Sequence, residues 1–243
     1  MLERRNEILA VIPARAGSQG IPGKNVRIFA GKPLLVHAIE TAKAATSIQR
    51  IIVSTDSEET ASAAKESGAE VPFLRPAEFA TSESKLADVV SHLLDELKKS
   101  EGYEPTHILL LQPTSPLREV EDIENAISLL TSRDADEVVS VTRTENVLMT
   151  KDANDELTVV NPDMLASPNR QQLPAYYKFD GSMIYLIKTS VFLKEHSFFA
   201  GKVVGYEIPR WRAIDLDEPQ DFILGKLIYE NRERLAQEIR DFR

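Results

Sequence analysis

Two groups of residues in this 243-residue chain have the types and spacing to handle a polyphosphate. The first is the run Ile12-Pro13-Ala14-Arg15-Ala16-Gly17-Ser18-Gln19-Gly20-Ile21-Pro22-Gly23-Lys24-Asn25, which follows directly on a short apolar segment. Its glycines allow backbone N–H groups to turn inward, as a phosphate cradle requires. Arg15 brings a planar fork and Lys24 a point charge, and Ser18 and Asn25 add neutral donors. Neither of the commonest phosphate motifs fits. A P-loop needs glycine where Ser18 stands and Ser or Thr where Asn25 stands. The dinucleotide fingerprint needs glycine where Arg15 stands. A solvated glycine turn would use similar residues, but a long loop directly after a strand, with two cations, favours an anion site.

The second group is Asp215-Leu216-Asp217. In an extended segment, acids at i and i+2 share one face. Beside a triphosphate such a pair suits a hard cation, Mg²⁺ or Mn²⁺, that keeps part of its water shell. Asp217 also suits plain capping of a final helix with Pro219 in its first turn, and the two uses are compatible. Elsewhere, Leu111-Gln112-Pro113-Thr114-Ser115-Pro116-Leu117-Arg118 is a proline-stiffened loop whose polar groups sit on a rigid frame, with Ser115 a candidate helix cap. His37, His92, His107 and His196 show no ligand spacing, and Trp211 reads as packing.

These residues need elements to position them. Short β-rich runs at Ile8–Ile12, Arg50–Ser54, Val71–Phe73, His107–Leu111 and Glu137–Thr142 read as strands. Between them Leu34–Ala45, Glu58–Ser67, Ser84–Lys99 and Val120–Thr131 carry helical spacing, with Val89, Val90, Leu93, Leu94 and Leu97 on one stripe. Such alternation predicts an α/β fold: a mostly parallel sheet sandwiched by helices, with ligands outside the carboxyl ends of the strands. Further strands are expected at Ser182–Ile187 and Val203–Ile208, and a long helix from Pro219 to Ile239. We expect one domain over 1–243, with 143–205 as an inserted arm.

Composition bounds the function. The chain is 42% hydrophobic and 28% charged, enough for a core and ordinary for a globular protein. A formal net charge of -9 makes non-specific nucleic-acid binding a poor expectation. With no cysteine, disulfides and thiolate metal sites are excluded. The apolar run near the N-terminus is too short for a leader or a membrane span, so a cytoplasmic protein without membrane contact is expected.

The run Pro-Ala-Arg-x-Gly-Ser-x-Gly-x-Pro-x-Lys-Asn resembles the signature of acylneuraminate cytidylyltransferases. The resemblance implies a Rossmann-like nucleotidyltransferase fold with a dimerisation arm. It also implies CTP bound around Ala14, Arg15, Gly17, Ser18, Lys24 and Asn25, with Arg15, Lys24 and Asp217 in catalytic roles. Arg75, in Arg75-Pro76-Ala77-Glu78-Phe79-Ala80, is similar to a nucleotide-contacting Arg of that family, although the following Thr81-Ser82-Glu83-Ser84-Lys85-Leu86 departs from its pattern. Gln112 is implied in sugar recognition, and Arg170, in Arg170-Gln171-Gln172-Leu173-Pro174, in pairing with a sugar carboxylate. Lys178 stands where relatives often have Arg, and Asp180-Gly181-Ser182 replaces Asn-Gly-Ala, which points to a changed sugar substituent. Phe198-Phe199 resembles an aromatic pair that reaches the neighbouring subunit's site in a homodimer; core packing is the other reading. Asp215 and Asp217 match the metal motif. The implied reaction joins CMP from CTP to the anomeric hydroxyl of an N-acylneuraminate (sialic acid), with release of pyrophosphate. Legionaminic, pseudaminic or another nonulosonic acid, or a different NTP, are alternatives.

Overall fold

Residue spacing and burial explain the elements of the computed structural model, which describes residues 7–18, 20–166, 175–179 and 183–242. Strand β1 (Ile8–Pro13) leads through a short 3-10 turn (Lys24–Val26) and the β2–β3 hairpin (Ile28–Phe29 and Lys32–Pro33) to α1 (Leu34–Ala44). Then come β4 (Arg50–Ser54), α2 (Glu58–Glu66), α3 (Leu86–Glu101), β5 (His107–Leu110), α4 (Val120–Ser132) and β6 (Glu137–Thr144). A second hairpin, β7–β8 (Met149–Lys151 and Leu157–Val159), and the short α5 (Asp163–Ala166) precede β9 (Tyr176–Phe179), β10 (Tyr185–Lys188), α6 (Thr189–Glu195) and β11 (Val203–Glu207). Helices α7 (Pro219–Glu230) and α8 (Arg232–Asp241) follow.

The central sheet runs β11-β6-β10-β5-β1-β4, with β9 also on β6. β1 is parallel to β4 and β5, and β6 to β11, while β10 is antiparallel to both β5 and β6. Thus β1, β4, β5, β6 and β11 share one direction, opposed by β9 and β10, and the sheet is mostly parallel as expected. Alternation along β1 divides the core. Ala10 and Ile12 pack with Leu35, Ile39 and Ile123 on the α1–α4 face, and Leu9 and Val11 with Val90, Leu93 and Leu97 on the α3 face. Each fully buried Leu or Ile contributes about 1.5–3 kcal/mol relative to exposure. The α3 stripe is buried as its spacing predicts, and Gly102 ends the helix at φ 66°, a left-handed position that favours glycine.

Three expectations are corrected. Val71–Phe73 is not a strand: Pro72 has no N–H to give a ladder, and only Glu70 bridges to Ile52. The final helix breaks at Asn231, whose φ of -111° and ψ of 11° are not helical. The segment 143–205 is divided, because β9, β10 and β11 belong to the central sheet and β10 lies in its middle. The hairpin β7–β8 forms a separate two-stranded sheet. No described helix is long and apolar enough to cross a membrane.

Candidate active site

The loop after β1 is folded by its own polar groups. Ala14 N–H donates to Ser54 O at 2.9 Å, extending the β1–β4 pairing by one residue. The buried Asn25 amide donates to Arg15 O at 2.9 Å and ties the two ends of the loop together. Ala16 N–H donates to Asp56 Oδ1 at 2.8 Å, so Asp56 braces the loop while Ser57 caps α2. Gly20 lies against the backbone of Asp217: a Cβ there would sit 2.1 Å from the Asp217 carbonyl oxygen. Only glycine permits that approach.

The 213–218 segment reaches this loop because it is held at both ends. Arg212 is buried, its guanidinium donating to both carboxylate oxygens of Asp122 at 2.6 and 2.9 Å. Leu216 is fully buried beside Phe29 and Leu34, and its N–H donates to Thr114 O at 3.0 Å. Glu218, not Asp217, caps α7, in a capping box with Asp221 and with Pro219 at the first helical positions. Asp217 therefore faces Lys24, whose Nζ donates to Asp217 Oδ1 at 3.0 Å and to Leu216 O at 2.9 Å. The Lys24 side chain is 12% exposed and that of Asp217 67%. Cation and acid, 193 residues apart, meet.

The third wall is the loop after β5. Arg118 is buried, donating to Gln112 O at 2.9 Å and to Met183 O, which fixes the Gln112 loop from behind. Ser115 is buried and donates to Ile214 O rather than capping α4, whose cap is Glu119. Together the three segments enclose a cleft of about 390 Å³ at the carboxyl ends of β1 and β5. Arg15, Ser18, Lys24, Asn25, Gln112 and Asp217 all line it, as do Thr114, one of the polar groups expected on the stiffened loop, and Glu218, which sequence reasoning did not single out. The signal for Glu218 was its place just before Pro219.

Other expected site residues lie elsewhere. Ala14 is buried, and neither it, Gly17 nor the half-buried Asp215 is among the described residues lining the cleft. Arg75, expected to contact nucleotide, is buried behind the loop, with Nε donating to Ser54 Oγ at 3.0 Å. Burial pushes its pKa down to about 10; Asp56 opposes that shift and Arg15 adds to it. Arg75 thus braces the β4 end and is not part of the cleft lining. Lys178 is exposed on β9. Since Val141 pairs with Glu207 on one side and Phe179 on the other, β9 shares the β10 edge of β6 and runs on beyond the end of β5. Phe198 packs on Phe192 and Tyr185, on the α3–α6 face, and Phe199 meets Phe179 edge-on at 5.1 Å while 54% exposed. Arg170 and Asp180 lie outside the described residues. His37 and His107 are buried, with pKa values lowered mainly by that burial, and neither lines the cleft.

Chemically, the cleft offers two cations, amide and hydroxyl donors and two exposed carboxylates around a glycine loop. That set suits the phosphates of a nucleotide. The chain is 35% identical to the CMP-N,N'-diacetyllegionaminic acid synthase of Legionella pneumophila, over 94% of this chain and 99% of that protein. It is 31% identical to the N-acylneuraminate cytidylyltransferase of Escherichia coli over 95% of its own length, but spans only 54% of that protein. A solved CMP:2-keto-3-deoxy-manno-octonic acid synthetase, complexed with CTP, shares the fold with a TM-score of 0.64 at 17% identity, covering 96% of this chain and 99% of that one. The family model described as Cytidylyltransferase matches residues 9–239, and this chain belongs to that family.

Proposed function

We propose that the chain transfers CMP from CTP to the anomeric hydroxyl of a nonulosonic acid, with N-acylneuraminate the first candidate. The observation that carries the reading is the cleft in which Arg15, Lys24, Gln112 and Asp217 converge. The sugar hydroxyl oxygen attacks the α-phosphorus and gives its proton to solvent, the new O–P bond forms, and the bond to the leaving pyrophosphate breaks. Arg15 and Lys24 bind the phosphates and offset the charge that grows on the leaving group, with Ser18 and Asn25 as neutral donors. Preorganised charge of this kind is usually the largest catalytic contribution. Lys24 Nζ lies 3.0 Å from Asp217 Oδ1, so phosphate oxygens at Nζ would share that ammonium with the carboxylate. Gln112, on its Arg118-braced loop, would orient the sugar, with Lys178 on β9 a further candidate sugar contact.

The residues fit a divalent cation of the magnesium type. Among the described residues no group of three or more His, Cys, Asp or Glu forms a closed metal cage. Mg²⁺ does not need one, since it takes one or two carboxylates and completes its shell with phosphate oxygens and water. Asp217, with Asp215, would hold Mg²⁺ or Mn²⁺, which supplies Lewis-acid polarisation of the α-phosphate.

A legionaminic-type acid is the second reading. It is favoured by the full-length similarity to the Legionella protein and by Asp180 in place of the family's Asn. One experiment tests both: CTP with a panel of nonulosonic acids, with and without EDTA, followed by mass spectrometry. Metal-dependent CMP-sugar formation from one acid is expected. No product from any acid, or undiminished product in EDTA, overturns the corresponding part of the reading.

A further inference from the structure

We propose a second ligand site, for a small hydroxyl-rich anion, at the carboxyl end of the β6–β11 pair. A groove of about 770 Å³ opens there, larger than the catalytic cleft and sharing none of the described lining residues with it. Its volume is in the ordinary range for small-molecule sites, and it lies at the end of the sheet where α/β folds bind ligands. Five side chains, Ile208, Pro209, Trp211, Ala236 and Ile239, give it an apolar lining. Arg143 and Arg210 also line it, both exposed and without an ion-pair or side-chain hydrogen-bond partner among the described residues. Glu119, Glu207, Arg240 and Glu145, the last already engaged by a partner, line it as well.

That mixture selects a ligand class. Guanidinium forks take a carboxylate or phosphate, an indole takes a flat or apolar face, and carboxylates take hydroxyl donors. A bare polyanion would meet Glu145 and Glu207 unfavourably, and an apolar ligand would leave the arginines unmatched. A sugar acid or a nucleoside monophosphate satisfies all three kinds of group. Arg212 also lines the groove, and it anchors the segment that leads to Asp217. An occupant would therefore rest against the support of the catalytic carboxylate.

Trp211 is the only tryptophan, so its fluorescence reports the groove directly. The full chain is titrated with CMP, with free N-acetylneuraminate and with pyrophosphate, without turnover. A saturable change is expected with CMP or the sugar acid and not with pyrophosphate. Its Kd should rise at least tenfold in Arg143→Ala/Arg210→Ala and stay within about twofold in Lys24→Ala, which disables the cleft. Should the double variant misfold by circular dichroism, the single Arg143→Gln and Arg210→Gln variants replace it. The proposal is overturned by no saturable change, by equal response to pyrophosphate, or by a signal lost in Lys24→Ala and kept in the arginine variants. None of these outcomes depends on CMP transfer occurring.

Discussion

Lys24 and Asp217 form an ion pair whose acid is largely exposed, and such pairs add about 0–1 kcal/mol to stability. A donor aimed at a leaving phosphate is worth far more, about two to three orders of magnitude in turnover. Lys24→Ala should therefore leave the melting temperature within a few degrees of the parent and cut kcat by about 10²–10³. Near-normal turnover would remove Lys24 from the mechanism. A different residue governs pH behaviour. Glu137, at the start of β6, is fully buried and accepts from Ala200 N–H at 2.8 Å, holding the turn where Phe199 sits at φ 71°. Burial pushes its carboxyl from 4.5 up to about 7, against the opposing backbone hydrogen bonds. Between those values the unfolded chain has released a proton that the folded chain keeps. Stability therefore falls as pH rises through that window and levels off above it, a change on the order of 3 kcal/mol. Glu137→Gln should flatten that slope in denaturant titrations at pH 5 and pH 8, whereas parallel slopes would rule Glu137 out as the cause.

Among the elements, the β1 loop shows how little tolerance the cleft has. Gly20 approaches a carbonyl oxygen of the acidic segment, and backbone cannot swing aside as a flexible side chain can. Gly20→Ala should push the two segments apart, and misplacement of about 1 Å can cost about 10²-fold. We expect a kcat/KM loss of that size with CTP, and an unchanged value would show that the loop rearranges freely. The β1, β4, β5 and β6 strands were legible because apolar, β-rich runs sit between clear helical stripes. Val71–Phe73 misled because its composition is strand-like while Pro72 denies it a ladder. The break at Asn231 was illegible locally, since Glu230-Asn231-Arg232-Glu233-Arg234 contains no Gly or Pro breaker. It follows Tyr229, whose ring packs on Phe29 and His37 and holds the end of α7 against the β2–β3 hairpin side. Arg118 and Arg212 were visible only as letters in motifs. Their roles depend on partners 65 and 90 residues away, which spacing does not encode.

For the whole molecule, the expected meeting of the basic loop with the acidic segment is present, but strand order had to supply it. No local signal says that β10 enters antiparallel between β5 and β6, and that insertion is what carries β9 past the end of β5. The hairpin β7–β8 and its neighbours expose Leu148, Met149, Leu157, Val160 and Leu165, with Leu157 at 62% and Leu165 at 61%. Apolar side chains concentrated on one projection favour burial against another copy. We therefore expect a homodimer by light scattering at working concentration, and Leu157→Glu with Leu165→Glu should shift it toward monomer. A parent that scatters as a monomer would refute this.

Gly225 draws α7 so close to Leu216 that any Cβ there would fall 2.5 Å from the leucine's Cδ2. Helix α7 thus acts as a plug seated over the residue between the two acids. Proteolytic trimming from the carboxyl terminus into α7 would spare every residue of the glycine loop. It would nevertheless uncover Leu216 and loosen the hold on Asp215 and Asp217, so inactivation should come before any loss of the sheet.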